Sequence, residues 1–333
     1  MHPDDGAKLW CSTIWRGGDA AQSQPVISAD GFLYGGARDN DLWAMPQAAQ
    51  SNPDAQVAWR FHVPHDGDVT APPVIGADGT IYFASNAIGA GFVYAFNPDG
   101  TSKWQPPTPG VNVTGEVQLG NGVHNSSPTL SFDGQTVYFS TYDSRVWALN
   151  AQTGEVRWNV QVFPGPNGFR QSNFTVVLAP DGRLFVGARD GLHVVTPNLA
   201  NTDATQSLFF ATAGRMESSP ALASDGTLYF GASRGKKGTF YAVNSSNGQV
   251  KWSYQLYGRF QNNQAVLGAD GTVYLGVGKT VYAFSHNGNG SGGAQILWTF
   301  PIPAGELRTG PVISSPGVLL IAGLNHKMYA IGN

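Results

Sequence analysis

Cysteine is nearly absent. The single Cys11 excludes an internal disulfide, and beside Trp10 in a β-type stretch it reads as a buried packing residue. Charge is scarce as well: Asp, Glu, Lys and Arg make up 12% of the 333 residues, about half the usual share of roughly 25%. The net charge of −3 provides no basic field for a nucleic acid or an anionic membrane surface. No apolar run reaches the roughly 18 residues that a membrane-spanning helix needs. The opening Met1-His2-Pro3-Asp4-Asp5 has neither the basic nor the apolar region of a signal peptide.

Glycine, by contrast, is abundant at 43 residues, and hydrophobic residues reach 41%, ample for a core. That balance suits a β protein with many tight turns. Along the chain one phrase returns: an apolar pair, Asp-Gly, then a β-rich run ending in Tyr- or Trp-Ala. It occurs at Asp30-Gly31…Trp43-Ala44, Asp78-Gly79…Tyr94-Ala95, Asp133-Gly134…Trp147-Ala148, Asp225-Gly226…Tyr241-Ala242 and Asp270-Gly271…Tyr282-Ala283. Asp181-Gly182…Val194-Val195 is a degenerate copy, and a seventh, Pro316-Gly317…Tyr329-Ala330, has lost the Asp. Successive Asp-Gly pairs lie 48, 55, 48, 44 and 45 residues apart, a period that marks a repeat architecture.

In the fifth copy, Ser219–Ser224 reads as a first strand, Asp225-Gly226 as its turn, Thr227–Gly231 as a second strand, Phe240–Asn244 as a third and Val250–Tyr254 as a fourth. A lone four-stranded unit leaves both faces exposed, whereas stacking units radially buries them. The expected fold is therefore all-β: a seven-bladed β-propeller of four-stranded antiparallel blades. It forms one domain, 1–333, with approximate blades 20–63, 68–106, 123–163, 171–212, 215–256, 260–301 and 306–333 plus 7–15. Trp59, Trp104, Trp158, Trp252 and Trp298 recur in the fourth-strand position as wedges between blades, with Phe209 or Phe210 in the fourth copy. The seventh copy stops after its third strand, and Lys8-Leu9-Trp10-Cys11-Ser12 matches Val250–Tyr254 in register. An N-terminal strand is thus expected to complete the last blade.

The pattern Ala-x-Asp-Gly-Thr-(Val/Leu/Ile)-Tyr, then (Val/Phe)-Tyr-Ala, then (Thr/Asn)-Gly-x-Val-x-Trp resembles the PQQ-like repeat of quinoprotein-type propellers. Asn150-Ala151-Gln152-Thr153-Gly154-Glu155-Val156-Arg157-Trp158 is an especially close copy, and the resemblance covers nearly the whole chain. Kelch and WD40 repeats fit less well, because no diglycine and no closing Trp-Asp recurs. The quinoprotein dehydrogenases that share this repeat are longer, with a vicinal disulfide over the quinone and Ca²⁺ ligands beneath. With one Cys this chain carries no such disulfide, and no cofactor is expected. The assembly lipoprotein of the outer-membrane insertion machinery is similar too, with eight blades and a lipid-anchor Cys near its start. An extracytoplasmic location, reached through a signal absent from this chain, is the expectation, with a cytoplasmic one left open.

In this topology the loops leading into each first strand, and those between second and third strands, open on one face, the top. One aligned column there holds Gln22, Thr70, Asn125, Asn173, Glu217, Asn262 and Arg308; the next holds Ser23, Ala71, Ser126, Phe174, Ser218, Asn263 and Thr309. Both are expected around the mouth of a central channel, as channel-hydrating groups or as ligand contacts. Arg170, Arg215, Arg259 and Arg308 stand on four consecutive lead-in loops, and Arg suits bidentate recognition of carboxylate, sulfate or phosphate. Pairing of some of them with Glu217 and Glu306 is the plainer alternative. Blade two offers His62, His65, Asp66 and Asp68, and the long loop Gln105–Asn125 adds His124. A loop of that length is often a lid or binding loop.

Several motifs carry no chemistry in this context. Gly231-Ala232-Ser233-Arg234-Gly235 fits a nucleophile elbow, but no helix follows it. Gly278-Lys279-Thr280 lacks the rest of a P-loop, nothing fixes a third ligand beside His62-x-x-His65, and Asp39-Asn40-Asp41 reads as a turn. Two functions stay open. In one the protein is a monomeric binding module whose top-face funnel takes a small molecule, saccharide or protein partner carrying an anionic or polar group. In the other it is an enzyme of lyase or hydrolase type acting there on an anionic carbohydrate, with His124, Tyr257 and Glu217 as candidate catalytic groups and no metal.

Overall fold

The computed structural model describes residues 23–36, 40–46, 57–87, 89–112, 115–123, 126–163, 175–216, 218–258, 260, 263–303, 305–307, 309–314, 317–325 and 327–332. They form seven separate antiparallel sheets and no helix. Sheet one comprises Val26–Ile27, Leu33–Gly36, Asp41–Met45 and Trp59–His62. Sheet two comprises Val74–Ile75, Ile81–Ala87, Ala90–Phe96 and Glu116–Leu119. Sheet three holds Thr129–Leu130, Thr136–Ser140, Arg145–Asn150 and Val156–Gln161. Sheet four holds Val177–Leu178, Leu184–Ala188, Gly191–Pro197 and Ala204–Ala211.

In sheet five Arg215–Met216 and Ala221–Leu222 both pair with Thr227–Arg234, which is followed by Lys237–Asn244 and Val250–Tyr257. Sheet six holds Val266–Leu267, Val273–Val277, Thr280–Phe284 and Ile296–Pro301. Sheet seven shows Val312–Ile313, Leu319–Gly323 and Lys327–Ile331. Strand order follows chain order within each sheet. These are the blades of an all-β, seven-bladed propeller. Residues 7–15 and Cys11 lie outside the described residues. By contacts the chain forms two compact units, sheets one to three in one and sheets four to seven in the other.

The Asp-Gly phrase is a turn with a fixed hydrogen-bond pattern. Gly79 and Gly226 sit at φ +83° and +80°, a left-handed conformation that glycine adopts without Cβ strain. Their N–H groups donate to the carbonyls of Gly76 and Ala223 at 2.9 and 3.0 Å. The Asp carboxylate then accepts the N–H two residues on, Thr80 at 3.1 Å and Thr227 at 2.9 Å. Lys103 and Lys251, from the fourth-strand position, donate to Asp78 and Asp225 at 2.7 and 2.9 Å. Burial opposes the charge of both carboxyls, but these donors outweigh it and hold each down at about 2.

The closing Tyr- or Trp-Ala follows from register. Ala44, Ala148, Ala242 and Ala283 lie directly opposite Trp59, Trp158, Trp252 and Trp298, where a small residue leaves room for an indole. Three of the indoles also reach a carbonyl of the following repeat. Trp59 Nε1 donates to Pro98 O at 2.8 Å, Trp104 Nε1 to Ala151 O at 3.1 Å and Trp252 Nε1 to His286 O at 3.0 Å. A Cβ at Gly154 would lie 2.7 Å from Trp104 Cδ2, so the glycine of the Asn150–Trp158 segment is the seat on which the ring of the preceding blade rests. In sheet four Phe209 takes this place, its ring 3.8 Å from a Cβ built at Gly248, while Phe210 packs with Phe230 and Tyr241.

Two expectations are corrected. Trp104 precedes its sheet's fourth strand instead of lying in it, because residues 116–119 provide that strand; the segment 105–125 is therefore partly structural. Asp41 is no simple turn residue: it opens a strand, is 5% exposed, and its carboxylate accepts from Arg60 at 2.9 Å and His62 Nδ1 at 2.8 Å.

Candidate functional site

The second top-face column is structural where it is described. Ser23, Ala71, Ser126, Ser218 and Asn263 are all buried. Ser23 Oγ donates to Ala71 O at 3.1 Å, one repeat away, and Asn263 Nδ2 donates to Leu307 O at 3.0 Å and to Gly276 O at 2.6 Å. Ser218 Oγ donates to Gly231 O at 3.3 Å, and Ser126 shares a 2.9 Å bond with Ser140. Ser23, Ser218 and Asn263 thus cap backbone carbonyls that the short first strands leave open. In the first column Thr70 is 3% exposed and its hydroxyl has no partner among the described residues.

Of the other predicted site residues, Gln22, His124, Asn125, Arg170, Asn173, Glu217, Arg259, Asn262 and Arg308 lie outside the described residues. Arg215 and Tyr257 are described, and both belong to sheet five. Arg215 lines a cavity of about 550 Å³ together with Arg189, Arg234, Thr212, Gly214 and Ser233. Arg189 stands in the loop between the second and third strands of sheet four, and Arg234 ends the second strand of sheet five. Both positions open on the face expected to carry the site. All three arginines are exposed, and none of their side chains makes a hydrogen bond or ion pair to a described residue. The neighbouring Asp190 is already engaged, its carboxylate 2.8 Å from His193 Nε2.

Register sorts these cations. Ala232 and Phe230 pack with Leu192 and Phe210 of sheet four, and strand side chains alternate, so Arg234 is on the same face of sheet five, turned toward sheet four. Arg215 pairs with Ser233 and stands on the alternate face, at the rim. Arg234 lies directly opposite Lys237, which lies directly opposite Tyr257. The hairpin tip between them is Gly235-Lys236, making Arg-Gly-Lys-Lys. Like charges facing each other across strands destabilise a hairpin, and no acidic residue interrupts this one. Sequence reading took Arg234 only as part of a false nucleophile motif and passed over Arg189. The legible signal was three cations in four residues of a chain with 19 Lys and Arg in all.

A second polar cluster lies in sheet two. Glu116 is 1% exposed and accepts from His65 Nε2 at 2.9 Å, from Tyr94 OH at 3.0 Å and from Asn112 Nδ2. Burial pushes the Tyr94 hydroxyl far above its ordinary range, which keeps it a neutral donor. The half-exposed His65 ring stacks on Phe92 with centroids 4.4 Å apart, and its backbone is left-handed at φ +67°. The Glu116 bond and the Phe92 stack together hold this imidazole in one orientation. His62 and His65 are each tied to a separate carboxylate, and no group of three or more metal-type ligands exists among the described residues.

Sheets of this kind, repeated at this period and seated on one another through Trp and Gly, define a propeller of quinoprotein-like repeats. The profile of the outer membrane protein assembly factor BamB matches residues 1–208 and 169–325, and the chain belongs to that family. The structure of BamB from Moraxella catarrhalis superposes with a TM-score of 0.65 at 18% identity, over 94% of this chain and 85% of that one. A quinohemoprotein alcohol dehydrogenase from Pseudomonas putida HK5 gives 0.64 at 15% identity, over 90% of this chain and 62% of the dehydrogenase. At such identities these are likenesses of fold. Protein Rv3035 of Mycobacterium tuberculosis is 40% identical over 62 residues, which is 19% of this chain and 14% of that protein's length.

Proposed function

We propose that this protein is a binding module that captures a partner or polymer through an anionic group, seated between Arg189 and Arg234 at the hairpin tips of sheets four and five. The observation that carries this reading is the cavity lined by three exposed arginines without partners among the described residues, in a chain whose net charge is −3. Guanidinium forks suit carboxylate, sulfate and phosphate, and Thr212 and Ser233 add hydroxyls at the wall. Membership in a family named for an outer-membrane assembly factor supports a binding role and an extracytoplasmic location.

The test is calorimetric titration of sodium sulfate into the wild type and into an Arg189→Ala/Arg234→Ala double variant. Binding that weakens with added NaCl and is lost in the double variant is expected; equal affinity in both proteins refutes the site. The second reading, an enzyme acting on an anionic carbohydrate, is favoured by the carboxylate-held His65. It predicts turnover of an acidic polysaccharide that disappears in His65→Gln while binding persists.

A further inference from the structure

Three side chains lie in one row across sheet five: Arg234, Lys237 and Tyr257, on its second, third and fourth strands. Directly opposed residues of an antiparallel sheet share a face, and this face carries Arg234 at the cavity. Strand spacing puts Tyr257 about 10 Å from Arg234. Tyr257 is 74% exposed at the end of its strand. The hairpin closes on Arg234 opposite Lys237, a pair of like charges that an anion between them would relieve.

Resting on the binding reading above, we propose that this row is an acidic-oligosaccharide subsite. An acid group of the sugar chain sits between Arg189 and Arg234, Lys237 faces the next unit, and a pyranose ring lies on the face of Tyr257. Stacking of ring C–H bonds on an aromatic face needs no enclosing pocket, which matches the exposed Tyr257. The cavity wall favours a saccharide over the other anionic polymers. Among the described lining residues Ala213 is the one apolar side chain, so these walls suit polar groups better than a nucleobase or an apolar peptide anchor. The Thr212 oxygen, which donates to Gly214 O at 2.6 Å and keeps its lone pairs free to accept, the Ser233 hydroxyl at the cavity wall and the exposed backbone of Gly235 suit sugar hydroxyls instead.

The experiment compares trigalacturonate, monomeric galacturonate and sulfate as probes on the wild type, Tyr257→Ala, Tyr257→Phe and Arg234→Ala. The wild type is expected to bind the trimer at least tenfold tighter than the monomer. Tyr257→Ala removes about tenfold of trimer affinity, Tyr257→Phe keeps it, and sulfate binding is unchanged in both. The subsite is overturned if trimer and monomer bind alike, if Tyr257→Ala retains full trimer affinity, or if hexaglutamate or a hexathymidylate binds tighter than the trimer. In each case the arginine cavity still stands provided sulfate binding requires Arg234. Sulfate binding that ignores Arg234→Ala overturns both.

Discussion

Replacing Lys237 by Glu separates a site built for a ligand from a surface built for stability. In the folded protein Lys237 faces Arg234 as the closing pair of a two-residue hairpin. Opposed like charges cost, and opposed unlike charges contribute, a few tenths of a kcal/mol each at exposed positions, so the swing on Lys237→Glu is about 0.5–1 kcal/mol. For a propeller of 333 residues, at roughly 2.1 cal/mol/K of unfolding entropy per residue, that raises Tm by about 1 °C, and 1 M NaCl erases the gain by screening. The same change places a carboxylate beside the arginine cavity, and sulfate or oligouronide affinity is expected to fall at least tenfold. Scanning calorimetry at low and high salt, with titration on the same samples, reads both effects. A variant that loses stability, or one that keeps its anion affinity, refutes the argument that the hairpin's charge is held for a ligand.

Two further outcomes follow from the scaffold. Trp104→Ala, which empties a fully buried indole site and removes the bond to Ala151 O, is expected to cost about 3–5 kcal/mol in urea unfolding; a loss under 1 kcal/mol contradicts the seating of this ring on Gly154. Asp78 and Asp225, held near about 2 when folded against about 3.9 unfolded, contribute stability that is fully present above about pH 4 and lost as pH falls toward 2. Urea midpoints between pH 2 and 5 measure this, and Asp225→Asn should flatten the decline; an unchanged slope argues against it.

The Asp-Gly turns, the β-rich runs and the fourth-strand Trp residues made the blade legible, because each has one local job that recurs at a fixed period. Phe209 could be narrowed only to a pair from sequence; its approach to Gly248 identifies it. The strand at 116–119 was hidden by the extra length of the second repeat, which displaces it from Trp104. The site was far less legible. Arg215 was visible as one of several lead-in arginines, but the facing of Arg234 with Lys237 and Tyr257 is a matter of register across two hairpins, and the approach of Arg189 is a matter of packing between neighbouring sheets. Neither is written in the spacing of residues along the chain. The polar column beside it was legible as a pattern but ambiguous in meaning, until burial showed Ser23, Ser218 and Asn263 bonded to backbone.

The most direct measurement is a two-dimensional NMR titration that follows the arginine side-chain Nε–H signals as sulfate and then trigalacturonate are added. The account predicts that the signals of Arg189 and Arg234 shift first and saturate together, with Arg215 following at the rim. Shifts confined to other arginines, with Arg189 and Arg234 unmoved at saturation, would contradict it.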